Sequence, residues 1–291
     1  MTAGNITLAL LYRRCRDLLR TVEPDNAANE AAWLMERVFG LSRQSLLAQG
    51  SCVAEPLLAD QLRELTDRRL AGVPLQYLLG EWEFYGLPLF VGPGVLIPRP
   101  ETELLVELTI DFLAAVTNPL LLDLCSGSGC IPLAIGSARP DALLWGVELS
   151  EQAFPYFQRN CHRLQQKNVT PVQGDIFLLP ATVTHRRYHA ITANPPYIAA
   201  EELATLSAEV SHEPVLALDG GSDGLAFYRH IPALAATLLA PNGLLALEIG
   251  NEQGAAVAAL VGRAGFDHVT VHPDLSGNDR VVTGVLAPTT P

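Results

Sequence analysis

Leu120-Leu121-Leu122-Asp123-Leu124-Cys125-Ser126-Gly127-Ser128-Gly129 passes from an apolar run into a glycine turn within one short stretch. A continuous apolar run bounded by a turn reads as a strand buried on both faces, which is the mark of a parallel sheet covered by helices. Glycines after such a strand permit positive φ and let the backbone approach a ligand closely. The free N–H groups of the helix that follows suit a carboxylate or a phosphate. The pattern therefore predicts an open α/β sheet with its ligand at the carboxyl ends of the strands.

Outward from that turn, strand and helix signals alternate to the end of the chain. Candidate strands are 120–124, 143–147, 170–173, 188–193, 244–249, 268–272 and 281–286. Only the turn 274–280 separates the last two, too short for a helical crossover, so they form an antiparallel pair. Seven strands ending in such a pair resemble the Rossmann-like fold of S-adenosyl-L-methionine-dependent methyltransferases. Acidic residues stand at successive strand ends. Glu148 lies about twenty residues beyond the glycine turn, where a carboxylate accepts from ribose hydroxyls. Asp175 ends the third strand and can accept from an adenine amino group. The Gly-x-Gly turn lacks the third glycine of a dinucleotide site.

Before residue 80 the chain is helical. Leu8, Leu11, Cys15, Leu18 and Val22 recur at helical spacing, Asp25 can cap a second helix that stops at Gly40, and Ser42 can cap a third. Pro56 opens a fourth helix, and Gly72 with Pro74 closes it. Trp82, Phe84, Leu87, Leu89 and Val91 then alternate around Gly86 as a β-hairpin. A helix is predicted over 102–116, after the rigid Ile97-Pro98-Arg99-Pro100-Glu101 loop. The organisation expected is a helical bundle domain at 1–75, a linker with the hairpin at 76–100, and the sheet domain at 101–291.

Composition narrows the partners. The formal charge is −12, and residues 81–291 hold ten basic against twenty-two acidic side chains, which opposes direct gripping of nucleic acid. Cys15, Cys52, Cys125, Cys130 and Cys161 include no Cys-x-x-Cys pair, and the seven histidines lack ligand spacing, so no metal site is expected. Neither a signal peptide nor a membrane span is visible, and a cytoplasmic, monomeric protein is expected.

Asn194-Pro195-Pro196-Tyr197 carries the chemistry. It follows a buried strand, and its two prolines stop ladder pairing and stiffen the loop. It offers an amide oxygen, a proline carbonyl and an aromatic face. That set suits a planar NH2 group, with two acceptors for its hydrogens and a ring against its plane.

With 72–80 (Gly-Val-Pro-Leu-Gln-Tyr-Leu-Leu-Gly), Ile97–Glu101, Asp123–Gly129, Glu213-Pro214, Gly220–Leu225, Leu247–Gly250 and Asp279-Arg280, the chain resembles the protein-glutamine N5-methyltransferases that modify peptide chain release factors. The resemblance implies methylation of the glutamine in the Gly-Gly-Gln loop of those factors, with the helical domain helping to hold them. It implies a cofactor set of Asp123, Cys125, Ser126, Gly127, Ser128, Gly129, Glu148, Asp175, Ile176 and Asn194. The catalytic set it implies is Asn194, Pro195 and Tyr197, and the substrate set adds Pro196, Arg99 and Glu101. Glu148 stands where the family commonly has Asp, and Pro155 is expected slightly inside the helix after the second strand. Rival readings are a glutamine methyltransferase of a ribosomal protein, an adenine N6-methyltransferase, which shares Asn-Pro-Pro-Tyr, and a cofactor-binding scaffold without catalysis.

Overall fold

The computed structural model describes residues 6–288. The chain divides into two compact units, one running to Glu81 and taking in Ser207–His212, the other comprising Trp82–Leu206 and the chain from Glu213 onward.

The first unit holds α1 (Leu8–Leu19), α2 (Ala27–Phe39), α3 (Arg43–Gln49), α4 (Pro56–Leu70) and α5 (Leu75–Leu79). Thr7 and Ser42 cap α1 and α3 through their hydroxyls, and Gly40 ends α2 in the left-handed conformation. The core face of α1 is Leu8, Leu11, Cys15 and Leu19. Leu18 and Val22, expected on that face, are 48% and 41% exposed. The core stripe steps from Cys15 to Leu19 rather than to Leu18, and α1 stops at Leu19, so Val22 falls in the turn. The cap of α2 is Asn26 rather than Asp25. Leu75 and Leu78 of α5 pack into the same core, which carries the unit past residue 75.

Inside this bundle a charge is buried. Arg69 on α4 is 4% exposed and donates through Nε and Nη2 to the two carboxylate oxygens of Glu30 on α2, each at 3.0 Å. Glu23 and Glu209 lie at 3.4 Å from its Nη2. A guanidinium can be buried only when its donors are met in this way.

From Trp82 the second unit holds the hairpin of β1 (Glu81–Phe84), whose first residue ends the first unit, and β2 (Leu87–Phe90), turning at Tyr85-Gly86. It continues with α6 (Glu103–Phe112), β3 (Leu120–Leu124), α7 (Cys130–Ala138), β4 (Leu143–Glu148), α8 (Phe154–Arg163), β5 (Val169–Gln173), α9 (Ala181–Thr184) and β6 (Tyr188–Ala193). Then come α10 (Ala226–Leu238), β7 (Leu239–Glu248), α11 (Gly254–Arg263), β8 (Phe266–Pro273) and β9 (Asp279–Leu286). The sheet order is β5-β4-β3-β6-β7-β9-β8, with β9 antiparallel to both neighbours. The predicted helix over 102–116 is α6 with a 3-10 turn at each end, Pro100–Thr102 and Leu113–Ala115. Pro155 is the second residue of α8, not deeper, and so begins the helix where its missing N–H costs nothing. Two apolar layers clamp the sheet, one of α10 and α11 side chains and one of α6 and α7 side chains. This arrangement leaves the carboxyl ends of β3, β4 and β6 side by side, and the turns that leave them make the site.

Candidate active site

The turn after β3 is held from below. Asp123 is fully buried, and its carboxylate accepts from Ser126 Oγ and Thr192 Oγ1, each at 2.6 Å. Burial pushes its pKa up to about 7 against those hydrogen bonds. Cys125 has φ +60°, an uncommon conformation for a side chain and one that aims the loop outward. Gly129, at φ +82°, cannot be replaced, since a Cβ there would meet the Phe157 ring at 2.1 Å. It thus packs the α7 start onto α8.

Glu148, at the end of β4, crosses to this loop. Its Oε2 accepts from the Gly127 N–H at 2.7 Å and its Oε1 from the Ser150 N–H at 2.6 Å. Burial raises its pKa while these backbone donors oppose the rise. Asp175 accepts from the Phe177 N–H at 2.9 Å, forming a tight turn after β5. Gly127, Glu148, Asp175, Ile176, Asn194 and Pro196 line one cavity of about 360 Å³, walled otherwise mainly by apolar side chains such as Leu96, Leu149 and Phe227. Among the described residues that line it, the charged ones are Glu148 and Asp175, both acidic. Such a cavity fits a flat apolar base, a polyol and a positive charge.

Asn194 and Pro196 line this cavity, with Pro195 and Tyr197 beside them in the same loop and not among its lining residues. Pro195 and Pro196 are buried, whereas Asn194 and Tyr197 are half-buried. Asn194 Nδ2 donates to Thr102 Oγ1 at 3.4 Å. Burial pushes the Tyr197 hydroxyl up, so the phenol stays neutral near pH 7. The loop is braced behind by Gln253, whose Nε2 donates to the Tyr197 carbonyl at 2.9 Å and the Gly224 carbonyl at 3.2 Å. Its Oε1 accepts from the Gly250 N–H at 3.0 Å. Gly220–Leu225 earns its glycines here. A Cβ on Gly224 would stand 2.4 Å from the Tyr197 carbonyl oxygen, and one on Gly220 would stand 2.8 Å from Tyr197 Cα.

Comparison with known proteins follows this geometry. Residues 11–80 match the family described as PrmC N-terminal domain, and residues 117–196 match one described as putative methyltransferase. A release factor glutamine methyltransferase of Thermodesulfovibrio yellowstonii is 43% identical over 227 residues, 77% of this chain and 80% of that one. Another, of Vibrio cholerae, is 36% identical over 280 residues, 96% of this chain and 97% of that one. The chain belongs to the release factor glutamine methyltransferase family. A methyltransferase from Pyrococcus furiosus, 18% identical, covers 78% of this chain and 98% of its own length with a TM-score of 0.51, which shows the shared fold. Methyltransferases of this family depend on S-adenosyl-L-methionine, and the cavity's acidic rim and apolar walls fit that molecule's sulfonium and adenine.

Within this methyltransferase not every expected residue faces the cavity. Asp123, Ser126, Ser128 and Gly129 lie beneath the loop, where they shape it rather than line the cavity. Arg99, expected on the substrate, ion-pairs with the buried Glu213. Glu213 also accepts from the Ile97 N–H at 3.0 Å, so this pair fixes the Pro-Arg-Pro-Glu loop. Glu101 is exposed. Residues to which the sequence reading gave no role of their own are Thr102, Glu213, Glu248 and Gln253, although Glu213 stands in the Glu213-Pro214 motif. The last two sit in or beside the Leu247–Gly250 motif, whose recurrence as a motif was their only signal.

Glu148 yields a direct test. Glu148→Ala should weaken S-adenosyl-L-methionine binding by roughly 1–3 kcal/mol, the scale of hydrogen bonds lost to a charged group. Titration calorimetry that returned the wild-type affinity would take Glu148 out of the site.

Proposed function

We propose that this methyltransferase acts on the side-chain amide nitrogen, N5, of the glutamine in the Gly-Gly-Gln loop of peptide chain release factors. The observation that carries this reading is the Asn194-Pro195-Pro196-Tyr197 loop, whose Asn194 and Pro196 line the cavity, with Asn194 tethered through its NH2. S-adenosyl-L-methionine, when bound, supplies an electrophilic methyl on its sulfonium. Gly127, Glu148, Asp175 and Ile176 would hold it.

An amide nitrogen is a weak nucleophile because its lone pair is delocalised into the carbonyl. Asn194 Oδ1 and the Pro195 carbonyl take the two N–H hydrogens, and Tyr197 packs on the amide plane. Together they fix the nitrogen and favour its pyramidal form, so the gain is orientation plus acceptors placed where positive charge develops. The neutral phenol of Tyr197 keeps charge away from that nitrogen. Methyl transfer leaves the nitrogen as an N-methylated amide cation, a strong acid that releases its N–H proton to water without a dedicated base and leaves the neutral N-methylamide.

The helical unit serves as the docking element. Its groove between α1 and α4 is lined by Leu18, Val53 and Pro56 among others, with Leu18 and Val53 48% and 55% exposed. A cytoplasmic, monomeric enzyme fits this reading, and no helix of the described chain is long and apolar enough to cross a membrane. The test is methyl transfer from labelled S-adenosyl-L-methionine to a purified release factor, with the modified peptide mapped. Label is expected on the Gly-Gly-Gln glutamine, lost when that residue is glutamate, with Leu18→Asp raising KM for the factor and sparing kcat. Label on the glutamate variant, or on ribosomal protein or nucleic acid in its place, would overturn the assignment.

A further inference from the structure

We propose that the buried carboxylate of Glu248 is the positioning residue that fixes which edge of the Asn194 amide faces the substrate, and so makes the site choose an NH2 group over a carboxylate. The proposal rests on the amide-recognition reading above.

The geometry follows from the sheet. Ala193 on β6 pairs in parallel with Leu247 on β7, so the next residues, Asn194 and Glu248, leave adjacent strands side by side. Glu248 is 1% exposed, and its Oε2 is buried with no hydrogen-bond partner among the described residues. The side chains of Thr102 and Asn194 both lie close enough to its carboxyl group to favour the ionised form, and Asn194 Nδ2 donates to Thr102 Oγ1 at 3.4 Å. A carboxylate only accepts, so it takes the NH2 edge of Asn194, and the Thr102 hydroxyl can donate to Glu248 while accepting from Asn194. Asn194 Oδ1 is then the edge left for the cavity. That edge accepts from an incoming NH2 and repels a carboxylate.

A protonated Glu248 would remove the constraint, since its O–H could donate to Oδ1 and let the amide turn over. The carboxyl is pushed up to about 7 by burial, which outweighs the opposing effect of Thr102 and Asn194. Arg280 opposes that rise and Glu101 adds to it. Tyr197, Tyr228 and Cys130 also face Glu248, and all three are raised by burial and so uncharged near neutrality. The ionised, orienting form therefore predominates only above about pH 7, and kcat should rise with pH through that point.

Glu248→Gln keeps the shape but replaces the carboxylate with a group that both donates and accepts. Its kcat on release factor is expected to fall ~10-fold or more, the scale of a mispositioned reacting group. S-adenosyl-L-methionine affinity should stay unchanged. The preference for a Gly-Gly-Gln peptide over its Gly-Gly-Glu counterpart as a competing ligand should shrink, and the pH step should vanish. Wild-type kcat, preference and pH profile in a folded Glu248→Gln enzyme would overturn the proposal. Should that variant not fold, the wild-type enzyme decides: a kcat flat from pH 6 to 8 overturns it, and a rise through about 7 supports it. A fully active Asn194→Ala enzyme would instead remove the amide-recognition reading itself.

Discussion

Asn194→Ala should reduce kcat on release factor by at least ~10²-fold, the loss found when one preorganised contact to a developing charge is deleted. β6 ends at Ala193, the two buried prolines stop the chain from moving, and Gln253 pins the far side of the loop. Asn194 is thus held in place, and in the mechanism proposed above its oxygen would serve a nitrogen that becomes more positive as the methyl arrives. An interaction that strengthens only in the transition state shows in kcat rather than KM. Single-turnover kinetics would separate the two, and a wild-type rate in this variant would sink the mechanism. Asn194→Asp should be as damaging, because a negative charge beside Glu248 requires one of the two to bind a proton.

The second large effect lies away from the chemistry. Arg69→Met should destabilise the protein by about 3–5 kcal/mol, because it leaves a buried carboxylate without its partner. Glu30 is 3% exposed, so its oxygens have no water to turn to. The double variant Arg69→Met, Glu30→Met should recover most of the loss, since it removes both charges and fills the space with apolar atoms. Urea unfolding of the two single variants and the double variant gives the coupling. Should Arg69→Met unfold at the wild-type midpoint, the buried pair contributes little to the fold.

How far the sequence could be read depended on the range of the interaction. The β3 strand and its glycine turn were legible because buried strands and positive-φ turns are dictated by residues within a few positions of one another. Gly40, Ser42 and Pro56 were legible as helix punctuation for the same reason. Leu18 was misread because Leu18 and Leu19 both fit the step of three or four residues from Cys15, and only packing shows that Leu19 takes the core place. Pro155 was placed too deep because a helix start can slide by a residue or two until tertiary contacts set it.

Arg99 and Glu248 mark the limit more sharply. As a sequence feature, Arg99 is a cation in a stiff loop, and a cation in such a loop reads as a ligand group. Its partner Glu213 lies more than a hundred positions away, and only folding shows that the charge is already neutralised. Asn194 and Glu248 are separated by the whole of α10, yet parallel pairing of β6 with β7 makes them neighbours. The sheet class, the glycine turn, the two-part chain and the stiff Asn194–Tyr197 loop after β6 were determined by the sequence alone, because each rests on backbone preference and local apolar period. Which side chains line the cavity, which merely support it, and which side chain holds the Asn194 amide were decided only by tertiary structure. Those outcomes depend on burial and on charge pairs between distant segments, and a buried carboxylate has no defined role until the fold supplies its neighbours.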